Sequence, residues 1–208
     1  MFNKNKTYEQ HDNEKLSFYR SSIEDLDSQD QLTSNIDVDI CIIGGGLTGI
    51  SSALNLSKKG YSVVLCEARK IGWGASGRNG GQLGIGMRKD QYTIEKKLGF
   101  SHAKELWNLG LEAVDEVKNL IKKNQINCHL VNGVMSAACF EKDLDEYKFE
   151  IDHMSKYYKF DGYKYFNKSE IREEISSDIY LAGMLNLNSY HLNPLKLTIG
   201  LAKLTQNN

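Results

Sequence analysis

The feature that most constrains this chain is Gly44-Gly45-Gly46-Leu47-Thr48-Gly49, which sets glycines in the order G-x-G-x-x-G at Gly44, Gly46 and Gly49. Such a match is weak alone, so its context decides its meaning. The apolar run Val38–Ile43 (VDICII) precedes it and reads as a buried strand of a parallel sheet. From Leu47 to Lys59, apolar residues recur at Leu47, Ile50, Ala53, Leu54 and Leu56, close to helical spacing. Lys58-Lys59-Gly60 closes that helix with cations at its negative end and a glycine just past it. Tyr61–Glu67 (YSVVLCE) reads as a second buried strand, completing a βαβ unit of about 30 residues.

The spacing fits the pyrophosphate of a dinucleotide. Gly44 permits the tight turn, Gly46 lets a pyrophosphate approach the backbone, and Gly49 lets helix and strand pack closely. The helix N-terminus offers free N–H groups and partial positive charge to phosphates. Glu67 ends the second strand, 18 residues past Gly49, where a carboxylate accepts from both ribose hydroxyls of an adenosine. The same charge repels a 2′-phosphate, which disfavours NADP. The competing reading is a glycine-rich turn with no ligand.

The fingerprint does not separate NAD from FAD, but the next segment helps. Of 18 glycines, 12 lie between Gly44 and Gly86, and seven of these lie between Gly72 and Gly86. Trp73, Ser76, Arg78, Asn79 and Gln82 stand among them, which is no linker composition. A loop of this kind lays backbone N–H groups against a flat polar ring system. A flexible surface loop is the alternative.

VDICIIGGGLTGISSALNLSKKGYSVVLCEARKIGWGASGRNGGQ resembles the N-terminal FAD-binding segment of the glycine/D-amino-acid-oxidase-type flavoenzymes, and within them the gamma-glutamylputrescine oxidoreductase branch. The likeness is specific over residues 36–90 and looser through NGVMSAA (Asn132–Ala138), GMLN (Gly183–Asn186) and HLNPLKL (His191–Leu197). SFYRSS (Ser17–Ser22) fits weakly. The resemblance implies FAD as cofactor, with Gly44, Gly46, Thr48 and Gly49 at the pyrophosphate, Glu67 on the adenosine ribose and Arg69 near the adenine. It implies that Ala75, Ser76, Gly77, Asn79, Gly80, Gly81 and Gln82 run past the phosphates to the flavin ring. It also implies oxidation of the C–N bond of a small amine or amino acid, by hydride transfer to flavin, with oxygen as acceptor and peroxide as product. An NAD-dependent dehydrogenase and a non-catalytic FAD-binding fragment are the alternatives. His191 and Arg78 are candidate catalytic residues. His191 reads more readily as a loop residue anchoring the next helix, and Arg78 as the partner of a substrate carboxylate or of a surface acid.

The fold class expected is α/β: an incomplete Rossmann-like FAD/NAD(P)-binding βαβ domain with part of an α+β substrate domain. Residues 1–33 read as a polar leader, 34–124 as the FAD-binding domain with associated helices, 125–193 as a partial substrate domain roofing the flavin, and 194–208 as a helix returning to the first domain. Within these, helices are expected from Gln91, broken near Gly99, and from Ala103 to Asn124, where Leu106, Trp107, Gly110, Leu111, Val114, Val117, Leu120 and Ile121 make an apolar stripe. Ile126–Val131 and Val134–Phe140 read as strands joined by an Asn132-Gly133 hairpin turn. Leu144, Tyr147, Ile151, Met154 and Tyr158 mark another helix, Asn167 and Ser169 are candidate caps, and Tyr180–Leu187 reads as a strand. Pro194, the only proline, opens the last helix. Family members are longer and continue from this helix into another strand. The resemblance therefore implies a split or truncated chain, with a separately encoded C-terminal half as a possible partner.

Net charge is −1, from 26 Lys and Arg against 27 Asp and Glu, which disfavours nucleic-acid binding. Four cysteines show neither metal-ligand spacing nor a disulfide framework, so no metal is expected, and Cys41 and Cys66 read as small hydrophobes within strands. The first residues have no apolar core of a secretory signal, and no run approaches a membrane span. A reduced, cytoplasmic, non-membrane location is the expectation.

Overall fold

A computed structural model describes residues 17–23 and 31–206. Most of the polar leader, residues 1–16 and 24–30, lies outside the described residues. From Ser17 to Ser22 the chain makes a short helical turn, α1 (Phe18–Ser21). The described residues form two compact units. One takes residues up to Gly80, Gln125–Cys128 and Asn193 onward; the other takes Gly81–Asn124 and His129–Leu192. These units cut the chain differently from a linear division at residue 124.

In the first unit, β1 (Ile40–Ile43) and β2 (Val63–Cys66) pair in parallel, from Ile40 opposite Val63 to Ile43 opposite Cys66. Between them α2 (Leu47–Ser57) crosses over, as the apolar spacing predicts, and buries Ile50, Ala53 and Leu54. Burying an Ile or Leu side chain contributes about 1.5–3 kcal/mol. Gly60 ends the helix with a left-handed φ of 87° and donates its N–H to Ser57 O at 2.9 Å. The strands are less buried than their apolar runs predict. Ile43 is 81% exposed and Cys41 is exposed, so Cys41 is no core hydrophobe here. Among the described residues the parallel sheet has two strands, and nothing covers the outer face of β1.

Helix α7 (Pro194–Gln206) belongs to this unit and packs on α2. Pro194 opens it as expected. Asn193 precedes it, and its side-chain oxygen accepts from Lys196 N at 3.0 Å while its carbonyl accepts from Leu197 N. The helix buries Leu195, Leu197, Thr198, Ile199, Leu201 and Ala202.

The second unit holds an antiparallel sheet around β6 (Ala182–His191). Along one edge of β6 lies β4 (Val131–Ala138); along the other lie β5 (Tyr163–Phe166), opposite Gly183–Asn186, and β3 (Gln82–Leu83), opposite Tyr190 and His191. Asn132-Gly133 is not a hairpin turn. Both residues lie within β4, and the register shifts between Asn132 and Val134 because Gly133 adopts φ 96° as a bulge. β6 also extends through His191, beyond the expected Leu187.

The helices α3 (Gln91–Leu98) and α4 (Phe100–Lys123) are broken at Gly99, whose φ of 78° suits a residue without Cβ. α4 buries Ala103, Trp107, Gly110, Val114 and Ile121 along one stripe. Gly110 is required, because a Cβ there would stand 2.2 Å from Ile85 O. Helix α5 (Glu141–His153) runs into a π-helical turn at Met154–Tyr158, and α6 (Lys168–Glu174) is capped by Asn167, which accepts from Ser169 N and Glu170 N. The core of the unit is Ile85, Trp107, Val114, Met154, Tyr158 and Phe160.

Candidate nucleotide site

The first unit joins the two glycine segments by hydrogen bonds. Gly44 turns out of β1 with φ 108°, donating its N–H to Cys66 O at 2.8 Å, and a Cβ on it would meet nothing within 4 Å. The space over the turn is open. Gly49 is different: a Cβ there would lie 2.1 Å from Gly44 O and 3.3 Å from an Ile42 methyl. Helix and strand touch at this glycine. Gly46 is the N-cap of α2 and offers no capping side chain. The cap comes instead from the second loop, where Ser76 Oγ accepts from Leu47 N at 3.0 Å. Thr48 lies exposed in the first turn of α2, where amides lack intrahelical partners.

Glu67 follows β2 and ties the glycine turn to the start of the chain beyond it. Its Oε2 accepts from Gly45 N at 2.6 Å, and its Oε1 accepts from Arg69 N at 2.9 Å. A carboxylate has about four acceptor sites, so each oxygen retains capacity for a ligand hydroxyl. Ala75–Gly77 forms a short 3-10 turn beside the α2 terminus. Gly77 is buried, and a Cβ there would stand 2.2 Å from Gly72 O. Asn79 donates its side-chain N–H to Ala75 O at 3.0 Å, fixing the turn. Gly80 meets open space. The residues present thus fit a pyrophosphate and a ribose: a helix N-terminus with one amide taken by Ser76 Oγ, an open glycine turn and a fixed carboxylate.

Trp73 carries two guanidinium groups. Arg69 and Arg78 each place Cζ 5.0 Å from its ring centroid. Arg78 Nε also donates to Trp73 O at 2.7 Å, so among the described residues it is held by this indole and its backbone. Gly81 and Gln82 fall in the second unit, where Gly81 O accepts from Leu192 N and Gln82 opens β3. His191 is not a loop residue anchoring α7. It is the last residue of β6, in register with Gln82 on one side and Val131 on the other, so the three share a sheet face. Its Nδ1 lies 3.0 Å from Gly133 O. A carbonyl only accepts, so Nδ1 carries a proton there and Nε2 is the ring nitrogen turned away from Gly133.

Three contributors escape sequence reading. Gly45 is buried against Ile71 and supplies the amide to Glu67. Gly72 donates to Gly45 O at 2.9 Å, tying the loops a second time. Thr198 is fully buried on α7, with Oγ1 3.5 Å from Ser76 O. The triple glycine of the fingerprint was the available signal for Gly45; Gly72 and Thr198 have none, since only folding brings them near. A cavity of about 680 Å³ between α2, β2 and α7 is lined by Ile50, Ala53, Leu65 and Ala202 among others, and by no fingerprint residue.

The model of the FAD dependent oxidoreductase family matches residues 39–208. The chain belongs to that family. FAD is the cofactor of this oxidoreductase family, which retires the NAD-dependent alternative. The chain is 36% identical over 187 residues to the gamma-glutamylputrescine oxidoreductase of Escherichia coli, covering 88% of this chain and 43% of that protein. It is 35% identical over 172 residues to a probable oxidoreductase, OrdL, of Haemophilus influenzae, covering 83% and 40%. Among solved structures, the L-amino acid deaminase of Proteus vulgaris aligns with a TM-score of 0.64 at 21% identity, covering 86% of this chain and 40% of that one. A glycine oxidase of Bacillus cereus aligns with a TM-score of 0.59 at 20% identity, covering 82% and 44%. These likenesses establish the α/β fold of the flavoenzymes, and the chain spans about two-fifths of the length of the relatives it matches. No helix among the described residues is long and apolar enough to cross a membrane.

Proposed function

We propose that this chain holds FAD through the turn at Gly44, Gly46, Thr48 and Gly49, the carboxylate of Glu67, and the loop from Ala75 to Gln82, and serves the oxidation of a C–N bond in a small amine or amino acid. The observation that carries this reading is the pair of bonds from Ser76 Oγ to Leu47 N and from Glu67 Oε2 to Gly45 N. They tie the glycine turn to partners 29 and 22 residues away in sequence, with Leu47 N and Gly45 N as the donors. The α2 N-terminus stabilises the phosphates with its amides, and the remaining acceptor positions of the Glu67 carboxylate take the ribose hydroxyls. Arg69, held over Trp73, stands at the adenine end. Bound there, the flavin supplies the hydride acceptor for the amine carbon. Likeness to the gamma-glutamylputrescine enzyme supports a substrate of that kind, with oxygen as the terminal acceptor. His191 and Arg78 remain the candidate residues on the substrate side.

The same pair of bonds would also serve a chain that holds FAD without catalysing, which is the second reading. One experiment separates them. The purified chain is incubated with FAD, freed of excess, and examined by visible absorption; then gamma-glutamylputrescine is added without oxygen. Bleaching of bound flavin supports the enzyme. Bound flavin that does not bleach favours the second reading, and failure to retain flavin overturns both.

A further inference from the structure

The second unit contains a run of aromatic rings that the nucleotide site does not use. Trp107 is 4% exposed at the centre of the core. Its ring centroid lies 5.8 Å from that of Tyr158 and 5.1 Å from that of Phe160, which in turn lies 5.1 Å from Tyr163. His153 continues the run outward, 6.2 Å from Tyr158, 4.8 Å from Tyr157 and 5.6 Å from Tyr92. Tyr157 and Tyr92 reach the surface at 46% and 40% exposure.

Packing alone explains stacked rings, but not what the phenols touch. Tyr158 OH is 2.9 Å from Glu95 Oε1, and Tyr163 OH is 3.0 Å from Glu150 Oε1. At Tyr158 the direction of the bond is fixed. Gln91 Nε2, which only donates, gives a hydrogen to the phenol oxygen at 3.0 Å, so the phenol hydrogen is committed to Glu95. Glu95 is also 2.7 Å from His153 Nε2, and both side chains are nearly enclosed, at 14% and 11% exposure. Enclosing a carboxylate beside each inner phenol costs free energy that an apolar neighbour would not. Oxidation of a phenol releases a proton, and these carboxylates stand where it leaves. Burial raises the affinity of Glu150 for a proton, which suits an acceptor.

We propose that Trp107 and Tyr158 form an electron relay that carries an oxidising equivalent from the core to the surface tyrosines Tyr92 and Tyr157. A one-electron oxidant of the oxygen-radical class takes one electron from the Trp107 indole and is itself reduced. Tyr158 returns one electron to the indole, and its phenolic proton passes to Glu95, leaving a neutral phenoxyl stabilised by the Gln91 N–H. Tyr157 or Tyr92 then gives one electron to that phenoxyl and its own phenolic proton to water, while the Tyr158 proton returns from Glu95, and a surface reductant of the thiol or ascorbate class restores the outer phenol with one electron and one proton. The relay lies wholly in the second unit and does not depend on the flavin reading.

The test is flash photolysis of the full chain with a ruthenium(III) polypyridyl oxidant, in a Trp73→Phe background so that Trp107 is the one indole of the two in the sequence. The indole radical and the tyrosyl radical are followed by transient absorption and electron paramagnetic resonance. The relay predicts decay of the indole radical into a tyrosyl signal, slowed several-fold by Tyr158→Phe and also by Glu95→Gln, in which the phenol remains. Should Tyr158→Phe not fold, the unaltered phenol in heavy water keeps the question decidable, because the relay predicts slower decay there. An indole radical whose decay ignores both Glu95→Gln and heavy water overturns the proposal.

Discussion

Gly45 donates its backbone N–H to Glu67 Oε2 at 2.6 Å, so the carboxylate proposed to face the ribose also holds the glycine turn in place. Sequence spacing places Glu67 near the nucleotide, but this bond gives it a second task. In Glu67→Gln the amide group offers one neutral acceptor oxygen and turns a donor toward Gly45 or Arg69. Hydrogen bonds to charged groups contribute about 1.5–3 kcal/mol, so FAD affinity should fall tenfold or more. Calorimetric titration of the variant with FAD checks this, and unchanged affinity would remove Glu67 from the site.

Gly49 and Gly74 should respond oppositely to alanine. At Gly49 a methyl would stand 2.1 Å from Gly44 O, against backbone that cannot swing aside. At Gly74 a methyl meets nothing within 4 Å, and φ is −77°. Gly49→Ala should cost about 1–3 kcal/mol or more, as overpacking does, while Gly74→Ala should be neutral or slightly stabilising. Urea unfolding of both variants measures the contrast; equal midpoints would contradict the close approach of α2 to β1.

Ser76→Ala removes the acceptor for Leu47 N at the start of α2. Caps of this kind are worth about 0.5–2 kcal/mol. Thermal unfolding without flavin should show that loss. Added FAD should narrow the gap, since phosphate oxygens would take over the orphaned amide.

Glu150 gives stability a pH dependence. Burial, opposed by the Tyr163 hydrogen bond and reinforced by Asp90, raises its pKa above the ordinary 4.5. A raised carboxyl favours the folded state fully below 4.5, and that contribution is lost as pH rises through the folded-state value. Glu150→Gln keeps an acceptor for Tyr163 and removes the buried charge. It should therefore raise the melting temperature at neutral pH and give no gain below pH 4.5. A variant that melts lower than the parent at neutral pH would show that ionised Glu150 stabilises the unit.

Tyr158 gives the matching alkaline effect. Burial, with Glu95 beside it, pushes its pKa from 10.0 up to about 12. Its contribution is complete below pH 10 and lost as pH rises through about 12. Ultraviolet titration should show a late step near pH 12 that loses one phenol in Tyr158→Phe, while Tyr163, raised further by its burial and Glu150, titrates beyond it. If the variant leaves the late step intact, the Glu95 contact does not hold the phenol neutral.

The local βαβ unit was legible because its signals are short-range: apolar runs of strand length, helical spacing from Leu47, and Gly60 after Lys58-Lys59. Asn132-Gly133 misled because its torsions suit both a hairpin turn and a bulge, and only pairing with β6 decides between them. β5 went unread because Tyr163–Phe166 is four residues long with Lys164 at its centre; it is a strand because β6 offers an edge. Burial of β1 was overread, since an apolar run reports what a strand is suited to and not what covers it: Ile43 is 81% exposed. The fingerprint glycines and Glu67 were visible by motif. The bonds that join them to Ser76 and Gly72, and Ser76 to Thr198, were not, because 27 to 122 residues separate those partners.

The most direct test of the central claim is calorimetric titration of the purified chain with FAD and, separately, with NAD. The account predicts saturable binding of FAD that is lost in a Gly46→Val variant with intact circular dichroism, and far weaker binding of NAD. No binding of FAD by the folded chain, or equal binding by the Gly46→Val variant, would contradict it.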